Sequence, residues 1–74
     1  MLNLPLTQLA QIVSNSGGIE VDCSRLRHME IVQLAAHAGS SGAKIVVKNA
    51  AAHLTITEIV QIAANGKGNV FFDS

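Results

Sequence analysis

The chain has 74 residues, of which 49% are apolar and 14% charged, and its five basic residues balance five acidic ones. This length allows one small domain, and this hydrophobicity excludes an intrinsically disordered protein. The neutral charge balance argues against nucleic-acid binding and against attraction to an anionic membrane, while a single cysteine excludes the disulfide-rich secreted class.

The sequence carries no membrane or export signal. A membrane helix needs roughly 18 or more consecutive apolar residues, and no segment approaches that length. The first six residues, MLNLPL, lack the basic start and long apolar centre of a signal peptide. We therefore expect a cytoplasmic protein without a membrane partner, although export by a signal-independent route would leave no trace in the sequence.

Three related segments begin at residues 8, 30 and 58, and they set the order of the predicted elements. The segments read QLAQIV, EIVQLA and EIVQIA. Each is followed by a glycine-containing turn and then by a β-branched or aromatic run, at residues 19–22, 44–48 and 70–73. The pattern predicts a single domain of three helix–strand units, over residues of about 4–25, 26–53 and 54–74.

Each helix is predicted from apolar residues spaced three and four positions apart, and we expect one apolar face per helix. In chain order, these residues are Leu6, Leu9, Ile12 and Val13, then Ile31, Leu34, Ala35 and Ala38, and finally Ile59, Ile62 and Ala63. Glycines that favour helix ends stand at Gly17, Gly39 and Gly66. The third helix has the clearest start, because Thr55 and Glu58 fit a capping box, whereas Arg27 precedes the second.

The strands alternate between an apolar and a polar face. The apolar face is predicted to hold Ile19, Val21 and Cys23, with Ile45, Val47 and Asn49 at the equivalent positions of the second strand. The other face carries Glu20, Asp22, Lys44, Val46 and Lys48, and Asp73 extends it to the third strand. Strands separated by helices pair in parallel through right-handed crossovers. The predicted fold class is therefore α/β, a small parallel sheet with helices on one face, stacked like a solenoid.

This alternation of similar helices and short strands resembles the leucine-rich repeat proteins and other αβ repeat proteins. The resemblance is one of pattern, and it covers nearly the whole chain through the three segments at residues 8, 30 and 58. It implies a scaffold that binds other proteins.

Cys23 is the residue with the greatest chemical capability, and two interpretations are open. Followed by Ser24 and Arg25, it could be a thiolate stabilised by Arg25 at the carboxyl edge of the sheet, where α/β proteins bind ligands. Alternatively, it is a small buried side chain that continues the row of Ile19 and Val21. We favour the second interpretation, because free cysteines are usually buried and no Cys-X-X-Cys or phosphatase-like spacing is present.

The remaining polar groups do not form a recognisable catalytic or metal-binding motif. The three histidines, His28, His37 and His53, are separated by 9 and 16 residues, which matches no zinc motif. The turns at residues 39–42 and 66–68 run from helix to strand, whereas a phosphate loop runs from strand to helix. Carboxylates on the polar face stand beside lysines, as on a solvated sheet. We expect no catalytic residue, metal or cofactor.

The last strand favours association. Phe71 and Phe72 point to opposite faces, so one of them faces away from the helices, and an open strand edge is a template for pairing. We predict a non-catalytic protein-interaction module that binds another protein or itself, as a homodimer. Its predicted interaction residues are Glu20, Asp22, Lys44, Lys48, Phe71 and Phe72. The alternative is a small enzyme or ligand-binding domain that uses Asp22, Cys23, Arg25, Lys48 and Asn49.

Overall fold

Helices and strands alternate along residues 3–73, the part of the chain that the computed structural model describes. The elements are α1 (Leu6–Ser14), β1 (Ile19–Asp22), α2 (His28–Ser41), β2 (Ile45–Lys48), α3 (Ala50–His53), α4 (Ile56–Gly66) and β3 (Val70–Asp73). The predicted mixed α/β architecture is confirmed. The final residue of the predicted third unit, at position 74, lies outside the described residues.

The strands form one parallel sheet in the order β1-β2-β3. The register aligns Ile19 with Ile45 and Val70 at one end, and Asp22 with Lys48 and Asp73 at the other. Each crossover leads to the adjacent strand, so β2 lies in the centre, with β1 and β3 at the edges of the described sheet. The parallel pairing predicted from the alternation is confirmed.

One face of the sheet is covered by the helices. The strand residues on this face are Ile19, Val21, Ile45 and Val47, which are buried, and Val70 and Phe72, which are partly buried against the core. Cys23 continues this row and is buried as well, as predicted. Asn49 does not share this face, because the chain turns after β2 with Asn49 in the left-handed conformation (φ 61°) and its side chain exposed.

The three longer helices pack side by side in the same order as the strands, with α2 between α1 and α4, and the short α3, which was not predicted, contacts β3. The predicted apolar faces of α1 and α2 are confirmed, since Leu9, Val13, Ile31 and Leu34 are all fully buried. For the third helix the predicted apolar face is right for Ile59 and Ile62, which lie in or against the core, and wrong for Ala63. In α4, Ile62 is buried but Ala63 is exposed, together with Ile56 and Val60.

Gly39 does not end a helix, contrary to the prediction. The second helix α2 continues to Ser41 and ends at Gly42, whose left-handed conformation (φ 82°) suits glycine. Gly39 instead lies where α2 passes close to α4, because a Cβ atom at this position would be 2.6 Å from the Asn65 carbonyl oxygen. This glycine is therefore needed for close packing of two helices.

The predicted capping box of the third helix is confirmed. The Thr55 hydroxyl accepts a hydrogen bond from the Glu58 amide, and the Glu58 carboxylate accepts one from the Thr55 amide. At the start of α2 the second half of this arrangement is present, since Glu30 Oε1 accepts from the Arg27 amide at 2.8 Å. The guanidinium group of Arg27 has only hydrogen-bond donors, so it cannot accept a bond from the Glu30 amide.

Candidate functional site

The face of the sheet opposite the helices, here called the outer face, holds the predicted interaction residues except Phe72, which lies on the covered face. The parallel register places Glu20, Val46 and Phe71 in one row. Asp22, Lys48 and Asp73 form the next row, towards the carboxyl ends of the strands. Lys44 precedes β2 and is exposed. The sequence therefore predicted correctly which charged side chains share this face.

The row of Asp22, Lys48 and Asp73 alternates in charge across the three strands. The Lys48 ammonium donates a hydrogen bond to Asp73 Oδ2, which raises the pKa of Lys48 above its usual value. Both side chains are well exposed, so the pair contributes little to stability. The pair links the side chains at the ends of β2 and β3.

Asp22 and Asn49 come together at the carboxyl edge of the sheet. Asp22 Oδ1 accepts hydrogen bonds from Asn49 Nδ2 at 3.0 Å and from the amide and hydroxyl groups of Ser24. These bonds, with the one from Asn49 contributing most, lower the pKa of Asp22 to about 2. The carboxylate therefore stays ionised at neutral pH and connects β1 to the turn that follows β2.

Cys23 lies in the core and lacks the properties of a nucleophile. Its residue surface is only 8% exposed, and burial, followed by the charge of Asp22, raises the pKa of the thiol. Arg25 points elsewhere, with its Nη2 atom 3.4 Å from Asn3 Oδ1. A thiolate stabilised by Arg25 is not supported, because burial and, to a lesser degree, the charge of Asp22 oppose the charged form and Arg25 lies near Asn3 instead. The interpretation of a buried side chain is confirmed.

The described residues offer no enclosed site for a small ligand. No pocket is found among residues 3–73, and no three His, Cys, Asp or Glu side chains in that range gather as a metal site requires. His28 approaches Glu58, with 3.7 Å between Nδ1 and Oε2, and His37 Nδ1 lies 3.3 Å from Ser14 Oγ. No helix within the same range is both long and apolar enough to cross a bilayer.

The two phenylalanines of β3 lie on opposite faces, as predicted. Phe72 is partly buried against the core, whereas Phe71 is 50% exposed on the outer face. Phe71 is therefore the one of the pair that faces away from the helices. A large aromatic side chain with this exposure, on an edge strand, is a feature of surfaces that bind other proteins.

A second apolar surface was not predicted. Ile56, Val60 and Ala63 are spaced four and three positions apart along α4, and we call them the α4 stripe. Ile56 is 73% exposed and Val60 58% exposed. The opposite side of α4 meets α2, because Glu58 approaches His28 and Asn65 approaches Gly39. The stripe therefore lies on the side of α4 away from the other helices.

The sequence did contain a signal for this stripe. The α4 segment, ITEIVQIAANG, has apolar residues at positions 56, 59, 60, 62, 63 and 64, which is too many for one face of a helix. A helix whose apolar residues cover more than one face requires more than one neighbour. Only the order of the helices in the structure shows which of its faces has none among the described residues.

No family model, curated protein or solved structure matches the chain. The function is therefore argued from the arrangement of its own residues. These provide an exposed aromatic residue on an edge strand, an exposed apolar stripe on the last helix, and a charged row that is paired within the chain.

Proposed function

We propose that the chain is a non-catalytic protein–protein interaction module that associates with a second copy of itself through the edge and outer face of its sheet. The observation that carries this proposal is Phe71, half exposed on a strand that has an open edge. Burial of an aromatic side chain and pairing of a strand edge both favour association.

The proposed scaffold is a solenoid-like array of three αβ units. Its support is the matching order of strands and helices, because β1, β2 and β3 are adjacent in sequence order and so are α1, α2 and α4. In such arrays each unit contacts only its neighbours, so the last unit exposes the surface that would meet a further one. The single free cysteine further supports a reducing compartment such as the cytoplasm.

The outer face adds to the proposed interaction surface. Glu20, Lys44 and the paired Lys48 and Asp73 surround Phe71 and Val46 with charges of both signs. An apolar centre with a charged rim is the usual arrangement of a protein interface. The rim would contribute orientation and association rate more than affinity.

Substitution of Phe71 tests the proposal. We expect Phe71→Glu to remain folded and to lose self-association, because a charge replaces an exposed aromatic side chain on the edge strand. Cys23→Ala is the control, since Cys23 is buried on the covered face at the opposite edge strand. Light scattering measures the mass, and circular dichroism measures folding. Equal masses for both variants and the parent chain would count against the proposal.

Phe72→Glu gives a weaker form of the same test. We expect it to disrupt assembly as well, but its side chain packs against the core, so the substitution also lowers the free energy of unfolding. Denaturant unfolding of the variant separates the two effects. A folded Phe72→Glu chain with the parent's mass would indicate that the covered side of β3 lies outside the interface.

Ligand binding at the carboxyl edge is the competing hypothesis, and reaction of the thiol distinguishes it. The structure brings Asp22 and Asn49 together there, but three hydrogen bonds from the chain itself already engage Oδ1 of Asp22. We expect Cys23 to react slowly with a thiol reagent at neutral pH and rapidly after unfolding. Fast reaction of the folded chain would favour the ligand-binding alternative.

A further inference from the structure

The α4 stripe has a buried counterpart in α1. Residues 6, 10 and 13 of α1 occupy the same relative positions as residues 56, 60 and 63 of α4, and both sets are apolar. In α1 these positions are wholly or partly buried, on the side that meets α2, where Ser41 Oγ donates to the Val13 carbonyl. The α4 stripe is therefore the equivalent of a helix-docking surface, exposed because no described element packs on it.

The edge of β3 is the equivalent docking surface of the sheet. The Ile45 amide donates to the Asn69 carbonyl, so the backbone groups of alternate residues 69, 71 and 73 point towards β2. In a parallel ladder, the groups of the residues between them, Val70 and Phe72, point to the other side. Each of these two residues thus offers one N–H and one C=O at the open edge.

The outward side of α1 presents different side chains from the α4 stripe, and this difference determines which surface we expect the stripe to bind. The side of α1 away from α2 carries the exposed amide side chains of Gln8, Gln11 and Asn15. Head-to-tail stacking of two copies would place these amides against Ile56 and Val60, whereas contact between two α4 stripes buries apolar side chains from both copies. The α4 stripe carries no charge, so the surface that matches it best is its own copy.

We propose that two copies join through their C-terminal ends in a closed, two-fold dimer, with β3 antiparallel to β3 and the α4 stripes in contact. This inference rests on the proposed function and adds its partner, its geometry and the residues of the second surface. A two-fold axis perpendicular to the sheet keeps both helix layers on the same side. The result is a continuous six-stranded sheet across two chains.

The register of the dimer follows from two requirements. Residues directly opposite in an antiparallel pair must share a face, and the bonded pairs must use the free groups of Val70 and Phe72. Placing Phe71 opposite Phe71 of the second copy satisfies both, because each Val70 then bonds with the other copy's Phe72. It also brings the exposed aromatic rings together on the outer face, where such pairs are favourable.

The nearest alternative register centres on Phe72. It forms only one bonded pair within residues 70–73 and places Phe71 opposite Asp73, an apolar residue against a carboxylate. The register centred on Phe71 instead places Asp73 opposite position 69, an asparagine. We therefore assign the symmetric pair to Phe71.

Cross-linking tests the strand pairing. In a Cys23→Ala background, Phe71→Cys places two thiols on directly opposite residues, with Cα atoms about 4.5 Å apart, which suits a disulfide. We expect this variant to form a disulfide-linked dimer on mild oxidation. The matched control is Glu20→Cys, in the same row on the opposite edge strand. Equal cross-linking of the two variants, or none at position 71, would overturn the inference.

Light scattering tests the contribution of α4. We expect Val60→Glu to raise the dimer dissociation constant at least tenfold, and the control Gln11→Glu, on the exposed side of α1, to leave it unchanged. If Val60→Glu dimerises as tightly as the parent chain, the inference is overturned. In that case, loss of the dimer in Phe71→Glu would still support the proposed function. A parent chain that stays monomeric, or that grows beyond a dimer, would overturn the inference as well.

Discussion

The two ends of the helix layer differ, although α1 and α4 follow the same pattern. At the α1 end, polar side chains face outwards, and the helix is tied to its neighbour because Ser16 Oγ donates to the Ser41 carbonyl and Ser41 Oγ donates to Val13. At the α4 end, Ile56 and Val60 face outwards. One end of the helix layer therefore presents polar side chains and the other presents apolar ones.

This difference shows when an exposed apolar residue is informative. Scattered apolar side chains are normal on protein surfaces. Ile56 and Val60 are significant because the equivalent residues of α1, Leu6 and Ala10, are partly buried against the next helix. The comparison identifies the face of α4 that has no neighbour among the described residues although the equivalent face of α1 has one.

We expect the largest effect on stability when the same charge is introduced at two equivalent positions, one of which is buried and the other exposed. Val13→Asp should lower the free energy of unfolding by more than about 3 kcal/mol, because Val13 is fully buried. Ala63→Asp occupies the same relative position in α4, where the side chain is exposed. We expect Ala63→Asp to leave the monomer folded and to weaken the dimer. Urea unfolding and light scattering measure these effects, and a similar loss of stability in both variants would remove the difference between the ends.

Gly39→Ala should loosen the α4 end while leaving the α1 end intact. Alanine favours helix by about 1 kcal/mol over glycine, yet its Cβ atom would lie 2.6 Å from a backbone oxygen of α4. Such overpacking costs about 1–3 kcal/mol, so we expect net destabilisation. Hydrogen exchange should show reduced protection in α4 relative to α1. Stabilisation of the chain by this substitution would show that α2 and α4 are not closely packed at Gly39.

Substitutions at the N-termini of α4 and α2 should have smaller effects on stability. Thr55→Ala removes the hydroxyl that accepts from the Glu58 amide and should destabilise the chain by about 1 kcal/mol. Because this cap belongs to α4, we also expect a weaker dimer. The converse change, Arg27→Thr, adds the missing acceptor at the start of α2 and should stabilise the fold without altering the dimer. Thermal unfolding should show a lower midpoint temperature for Thr55→Ala and a higher one for Arg27→Thr. Shifts of the two midpoints in the same direction would contradict this account of the helix starts.

The two edges of the sheet should respond at opposite ends of the pH scale. The pKa of Asp22 falls from 3.8 to about 2 on folding, so its stabilisation is present above pH 4 and is lost as the pH falls towards 2. The pKa of Lys48 rises on folding, so its contribution is present below its ordinary value of 10.5 and is lost at higher pH. Asp22→Asn should reduce the acid dependence of unfolding and change the alkaline dependence much less, because Asp73 contributes most to the raised pKa of Lys48 and Asp22 least. If the free energy of unfolding of Asp22→Asn falls below pH 4 as it does in the parent chain, Asp22 is not the cause of that fall.

Much of the fold could be predicted because it depends on local periodicity. The strands and the buried faces of α1 and α2 follow from alternation and from three- and four-residue spacing, and the start of α4 follows from Thr55 and Glu58. Gly39 could not be placed from local sequence. The glycine is required by contact with a helix from another part of the chain, and from local sequence Gly39 matches an end signal as well as Gly42, three residues later, does.

The candidate site was predictable only in part, for the same reason. The charged residues of the outer face follow from strand alternation, and Phe71 and Phe72 follow from their adjacency. Which of these two is exposed depends on which face the helices cover. The α4 stripe depends on the order of helices in the layer, and the raised pKa of Cys23 depends on burial beside Asp22. None of these is a local property.

We propose that the α4 end of the helix layer binds a second copy of itself, and solution mass as a function of concentration decides whether it does. Light scattering on the parent chain over a wide concentration range should show a change from one chain mass to two, with no growth beyond the dimer. A single chain mass at all concentrations, or continued growth to larger species, would contradict the claim.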